Sequence, residues 1–160
     1  MAFSSHLFLF YFLPTLLLLY YVVPARFRTG RNVVLLVTGY AFYAWVNPWF
    51  VLLLLGMTSG NYLLSRVIAT RRTQKARLLL AGGAIALDLA ALGFFKYAVF
   101  LADNLNDLLL LGGRDALSVL RVVLPVGISF YTFKILSYIM DVYRGQSPPA
   151  RSLLDFACYV

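Results

Sequence analysis

The chain has 160 residues, of which 62% are hydrophobic and only 12% charged, and its formal net charge is +8. Soluble domains carry about 25% charged residues, so this composition excludes a water-soluble globule. Several apolar runs approach the ~20 residues that a helix needs to cross a bilayer. We therefore predict an all-α fold, a polytopic transmembrane helix bundle with about five spans. The basic residues flank apolar runs, which is typical of cytoplasmic loops and does not favour nucleic-acid binding.

The first apolar run predicts a span over about residues 6–23, because residues 1–25 contain no charged side chain. A secretory signal peptide would carry basic residues before its apolar run. Here they follow it, at Arg26, Arg28 and Arg31. We therefore predict an uncleaved first span with the N-terminus outside the cytoplasm and residues 24–31 inside it.

The stretch between Arg31 and Arg66 has no charged residue and is too long for one span at 1.5 Å per residue. Asn47-Pro48 in its middle indicates a turn. These features predict two short spans, at about 32–46 and 49–65, that form a hairpin. One long tilted span with a surface segment is the alternative.

The stretch 66–77 holds five basic residues and no acid, which predicts a cytoplasmic loop. A fourth span is predicted over about 78–101, with Asp88 and Lys96 inside it, and an aspartate-rich outer loop follows. A fifth span is predicted over about 122–140, and 141–152 returns to the cytoplasm. Ser152 and Asp155 match the S-x-x-D pattern that opens a helix, so a further helix should begin at about 153. We expect the chain to end inside that helix.

The fifth predicted span, in LPVGISFYTFKILSYIMDVYRG, carries unusual polarity for a lipid-embedded segment. At about 100° per residue its polar side chains gather on one face, with isoleucines on another. This polar stripe consists of Tyr131, Lys134, Ser137, Tyr138 and Asp141. Ionisable residues in a span usually face a bundle interior or a watery cavity, so we predict that the stripe lines a substrate path. The alternative is that Lys134 reaches the membrane interface and that the other residues lie near the span end.

This segment and the terminal RSLLDFACYV resemble the membrane-bound O-acyltransferase family, and more narrowly its alginate O-acetyltransferase branch. Matching blocks follow in order along the whole chain: FSSHLFLFYFLP at 3–14, AFYAW at 41–45, NYLLSR at 61–66 and FFKYAVFLADNLN at 94–106. One position departs from the family pattern. Relatives more often carry a neutral polar residue such as glutamine at the position of Lys134, which leaves the role of this lysine open.

The resemblance implies a multi-pass protein of the bacterial inner membrane with a narrow central tunnel. An acyl donor, acetyl-CoA or an acyl carrier, would be presented from the cytoplasmic side, with no bound cofactor and no metal. Acetyl groups would pass to hydroxyls of an exported polysaccharide such as alginate, usually with periplasmic or membrane partner proteins. The essential histidine of the family lies downstream of residue 160, so we expect no catalytic residue in this chain and no activity from it alone. His6 matches no catalytic motif.

Two other function classes stay open on the residues alone. One is a transporter or channel subunit with a polar transmembrane path, and the other is a structural segment without activity. A histidine in an apolar context beyond residue 160 would separate an acyltransferase from a transporter.

Overall fold

The computed structural model describes residues 6, 8–24, 26–111 and 125–160, and every regular element among them is helical. This confirms the predicted all-α class for the described residues. A π-helical turn, Phe8–Phe12, leads into the first α-helix. The α-helices are α1 (Leu13–Val22), α2 (Arg28–Val46), α3 (Pro48–Thr70), α4 (Gln74–Leu111), α5 (Ile128–Arg144) and α6 (Leu153–Tyr159).

Two helical segments within the described ranges are long and apolar enough to cross a membrane. They are Pro48–Thr70, which is all of α3, and the Gln74–Ala98 part of α4. The apolar segment Phe8–Val22, predicted as the first span, is shorter than this requirement. The lengths and composition support a membrane protein, while the total of about five spans stays a prediction.

The break predicted at Asn47-Pro48 is present. α2 ends at Val46, Asn47 is extended with φ −161° and ψ 112°, and α3 begins at Pro48. The Asn47 side-chain oxygen accepts a hydrogen bond from the Trp49 N–H at 3.1 Å. Proline suits this first helical position because its missing N–H would have no partner inside the helix. Two helices therefore occupy 28–70. The two-span hairpin and its alternative, one tilted span with a surface segment, both stay predictions.

The helix that holds the predicted fourth span, about 78–101, is longer than that span. α4 has 38 residues and continues to Leu111, through the stretch that was assigned to an outer loop. Polar residues do not end the helix there, since their side chains can bond within it: the Asn104 amide donates to the Phe100 carbonyl at 2.6 Å. The rest of the predicted outer loop, including Arg114 and Asp115, lies outside the described residues.

The start of the fifth helix also differs from the prediction of about 122. Residues 125–127 form a turn in which the Ile128 N–H donates to the Pro125 carbonyl at 3.3 Å. Gly127 has φ +75°, a left-handed conformation that a helix cannot continue through. Pro125 therefore precedes the helix, and α5 begins at Ile128. Residues 122–124 lie outside the described residues.

The chain divides into two compact units, and the first comprises Met1–Arg66 with Pro149–Val160. In this unit the rings of Phe8 and Phe12 lie 5.2 and 4.7 Å from that of Phe42, which packs the first helical segment on α2. α6 packs on the start of α2, where the Asn32 amide donates to the Asp155 carboxylate at 3.0 Å. The Ser152 hydroxyl accepts from the Asp155 N–H at 3.1 Å, which confirms the predicted cap.

The second unit, Val67–Pro148, holds the end of α3 together with α4 and α5. α4 and α5 pack against each other. This helix pair carries the polar stripe, and its interface is the basis of the candidate site.

Candidate functional site

One face of α4 packs against α5 and consists mostly of small side chains. Ala81, Ala84 and Asp88 are buried there, and the last is fully buried, at 0% exposure. Spacings of three and four residues place all three on one helix face. The alanines let α5 approach closely, and the Asp88 carboxyl group is enclosed in the contact. α5 contributes Ile128, Tyr131, Thr132, Ile135, Ile139 and Val142 as its buried residues.

Arg77, in the first turn of α4, holds the end of α5. Its guanidinium donates to the carbonyl of Val142 at 3.1 Å and to that of Tyr143 at 2.6 Å. The last carbonyls of a helix lack partners within the helix and carry the negative end of its dipole, so a cation is favoured there. The Gln74 amide adds a hydrogen bond to the Tyr143 hydroxyl at 3.1 Å. The start of α4 and the end of α5 therefore lie together, and the two helices run antiparallel.

α5 ends through backbone hydrogen bonds that also fix this junction. The Gly145 N–H donates to the Val142 carbonyl at 3.1 Å, and the Gln146 N–H donates to the Asp141 carbonyl at 2.9 Å. Gly145 has φ +73°, the left-handed conformation that this type of helix end requires. Glycine is suited to the position because it has no Cβ to clash.

The polar stripe borders the packed face of α5 instead of forming it. Tyr131 is buried with 5% exposure, whereas Lys134, Tyr138 and Asp141 are half-buried and Ser137 is exposed. The Lys134 ammonium lies 5.3 Å from the centre of the Phe130 ring. The isoleucines predicted on another face belong to the packed face, next to the stripe. The structure thus brings one stripe residue into the interface and leaves the others at its edge, so the substrate-path role stays a prediction.

Two hydroxyl groups, of Tyr131 and Thr132, lie in the same interface as the Asp88 carboxyl group. Asp88 on α4 and Tyr131 on α5 are equally many residues from the Arg77–Val142 contact, so the antiparallel rise places them at one level. Thr132 is fully buried beside this level, and its hydroxyl has no hydrogen-bond partner among the described residues. A carboxyl group and two hydroxyls at one depth can orient a substrate hydroxyl or hold a proton. Sequence reasoning identified Asp88 as a deep residue but missed Thr132, whose type is common in apolar spans.

A cavity of about 280 Å³ lies inside the first unit, between α2, α3 and α6. Its walls are nearly all apolar, and Thr58 is buried among them. The residues that line the cavity are Leu36, Tyr40, Leu55, Thr58, Ser59, Leu153, Leu154 and Ala157. One turn after Thr58 on α3, the Tyr62 hydroxyl accepts a hydrogen bond from Arg66 at 3.3 Å.

Comparison with known proteins identifies relatives along the whole chain. The probable alginate O-acetylase AlgI of Pseudomonas aeruginosa is 45% identical over 162 residues, covering 100% of this chain and 30% of that protein. The probable alginate O-acetylase AlgI of Pseudomonas putida is 47% identical over 163 residues, covering 100% of this chain and 33% of that protein. The chain belongs to the alginate O-acetylase branch of the membrane-bound O-acyltransferase family. The family resemblance indicated by the sequence blocks is thereby confirmed.

The chain is also similar to a protein that is named for acetylation of a different polymer, peptidoglycan. The peptidoglycan O-acetyltransferase of Helicobacter pylori is 33% identical over 147 residues, covering 90% of this chain and 27% of that protein. No family model matches the chain, and no solved structure gives a significant match. The chain spans about a third of the length of the alginate O-acetylases that it matches.

Several side chains of this O-acyltransferase family member could be mistaken for catalytic groups. His6 is exposed and stacks on Phe10, with 5.8 Å between the ring centres. The Cys158 thiol donates to the Asn32 carbonyl at 3.2 Å. Burial raises the pKa of Cys158, and the Asp155 carboxylate raises it further, so the thiolate is disfavoured. In the described ranges, no group of three or more His, Cys, Asp or Glu side chains could hold a metal ion.

Proposed function

We propose that this chain is the N-terminal part of an integral membrane O-acyltransferase that acetylates an exported polysaccharide such as alginate and passes acyl groups across the membrane. The observation that carries the proposal is the 45–47% identity, over the whole chain, to proteins named alginate O-acetylases. The transporter alternative has no support from the relatives named above. Identity to the peptidoglycan O-acetyltransferase is lower, at 33%, which favours alginate as the acceptor.

The helix pair α4 and α5 supplies the part of the substrate path that this chain contributes. Lys134, Tyr138 and Asp141 remain partly accessible at the edge of the packed interface, where a substrate group can reach them. Asp88 and Tyr131 are buried in the same interface. Water is scarce in such a place, which limits hydrolysis of an acyl donor. These residues are proposed to guide and orient substrate, and the catalytic histidine is supplied by another part of the protein.

The proposal includes a multi-pass location in the bacterial inner membrane. The acyl donor, acetyl-CoA or an acyl carrier, approaches from the cytoplasmic side, near residues 66–77. The acceptor polysaccharide is reached from the other side, together with periplasmic or membrane partner proteins of acetylation. The positive charge of 66–77 supports this orientation, because cytoplasmic loops are enriched in Lys and Arg.

Genetic removal of the protein tests the activity directly. Cells that lack it should export polysaccharide without O-acetyl groups, and re-expression of the full-length protein should restore them. O-acetyl content is measured separately on alginate and on peptidoglycan. Loss of O-acetyl groups from peptidoglycan alone would mean that peptidoglycan, not alginate, is the acceptor. Unchanged acetylation of both polymers would contradict the proposed function.

A further inference from the structure

The loop between α3 and α4 lies at a membrane surface. α3 ends at Thr70 and α4 begins at Gln74, and the two segments long and apolar enough to cross a membrane meet at this loop. The side chains of Arg71, Arg72 and Lys75 are exposed there. Because span ends lie at the level of the lipid headgroups, these three cations are placed at the depth of the headgroup phosphates.

A fourth exposed cation joins them from a distant part of the sequence. Gln74 bonds to Tyr143, and Arg77 bonds to the backbone of Val142 and Tyr143, so the end of α5 lies beside the start of α4. Arg144, the last residue of α5, is exposed at this end. We name the set Arg71, Arg72, Lys75 and Arg144 the basic patch.

The basic patch is not neutralised by the protein around it. In the part of the chain that the structure describes, none of its four side chains is hydrogen-bonded or paired with an acid. The first turn of α4 contains no acidic residue, and Asp141, one turn before Arg144, is the acid nearest to the patch in sequence. Arg77 differs from the patch because its guanidinium is bound to the end of α5. The four cations are therefore available to an external anion.

We propose that the basic patch binds the headgroups of anionic phospholipids at the membrane surface. Each Lys or Arg near an anionic leaflet contributes about 1 kcal/mol, and Arg can hold a phosphate through two hydrogen bonds. The cations stand exposed on separate segments, a loop and two helix ends, which fits a surface of several headgroups better than one enclosed soluble ligand. The inference rests on the membrane location and does not depend on the acyl-transfer activity.

Lipid binding by the purified protein tests the inference. The protein in neutral detergent is incubated with phosphatidylglycerol or phosphatidylcholine, and native mass spectrometry counts the bound lipids. We expect wild type to retain phosphatidylglycerol preferentially, and each cation removed should weaken its binding about fivefold at low salt. The main variant combines Arg71→Gln, Arg72→Gln, Lys75→Gln and Arg144→Gln. Thermal unfolding in neutral detergent checks that this variant is folded. The single variant Arg72→Gln repeats the lipid-binding test with one exposed substitution.

Two further variants test whether lipid binding depends on the basic patch or on the overall positive charge of the protein. Arg71→Lys, Arg72→Lys and Arg144→Lys together keep the charge and should keep most of the lipid. Lys96→Gln removes one exposed cation about 30 Å along α4 from Lys75 and should leave binding unchanged. An equal loss for Lys96→Gln and Arg72→Gln would overturn the proposal, as would equal retention of the two lipids by wild type. Complete displacement of phosphatidylglycerol by coenzyme A, a soluble phosphate-bearing nucleotide, would also overturn it.

Discussion

Arg77 joins α4 to α5 through two backbone carbonyls that no other described side chain contacts by hydrogen bonding. Lysine keeps the charge but lacks the planar guanidinium that reaches both carbonyls. We expect Arg77→Lys to lower the free energy of unfolding by about 1–2 kcal/mol, since hydrogen bonds to charged groups are worth about 1.5–3 kcal/mol each. Thermal unfolding in detergent measures this change. Arg72→Gln, at an exposed position, is the control and should change stability by less than about 0.5 kcal/mol.

Asp141 and Ile139 lie two residues apart on α5 but differ in surroundings. Ile139 is fully buried, whereas Asp141 is half-buried on the polar stripe. Ile139→Ala should destabilise the protein by about 2–5 kcal/mol through a packing cavity. Asp141→Ala should leave unfolding nearly unchanged yet lower polysaccharide acetylation more than Ile139→Ala, per amount of folded full-length protein. Acetylation by Asp141→Ala equal to wild type, over a range of donor levels, would favour a purely interfacial aspartate.

The end of α5 depends on a conformation that only glycine adopts at low cost. Gly145 has φ +73°, while Gly82 lies within α4, where an added Cβ meets no atom within 4 Å. Gly145→Ala should therefore destabilise the protein by about 1 kcal/mol. Gly82→Ala should stabilise it by up to about 1 kcal/mol through helix propensity. Chemical or thermal unfolding of both variants tests the prediction, and a shift of the same sign in both would contradict it.

Helix boundaries were predictable where a local residue pattern sets them. Asn47-Pro48 ends one helix and opens the next, and Ser152 caps α6, because in both cases the deciding hydrogen bonds lie within three residues. The end of α4 was not predictable from hydropathy. Apolar character stops near residue 101, but helix formation depends on backbone bonding and continues to Leu111. The start of α5 depends on the left-handed conformation of Gly127, and the presence of a glycine in the sequence does not by itself predict that conformation.

The candidate site was predictable in part. Periodicity correctly placed Tyr131, Lys134 and Tyr138 near one side of a helix, because side-chain direction follows from local geometry. Which side α5 buries was not predictable, since that depends on how α5 packs against α4. The partner of Arg77 was also missed. Its carbonyl acceptors are 65 and 66 residues away, and only tertiary packing brings them together.

For the whole molecule, the predicted orientation places 66–77 and 141–152 in the cytoplasm. The antiparallel packing of α4 and α5 supports placing both stretches on the same side of the membrane, because the start of α4 lies beside the end of α5. In a Cys158→Ser background, Thr73→Cys should be shielded from an impermeant thiol reagent in intact cells, and Gly112→Cys should react. Mass spectrometry of labelled protein measures both. Labelling at position 73 with none at 112 would invert the orientation.

The length of α4 has a practical consequence for imaging. Its 38 residues extend for about 57 Å, and even a 40° tilt leaves about 44 Å along the membrane normal. The hydrocarbon core is only about 30 Å thick, so the last turns stand clear of it, on the side opposite the basic patch. A rigid helical fusion continued in register from Leu111 would move as one body with α4. Such a fusion gives electron microscopy a landmark outside the detergent belt.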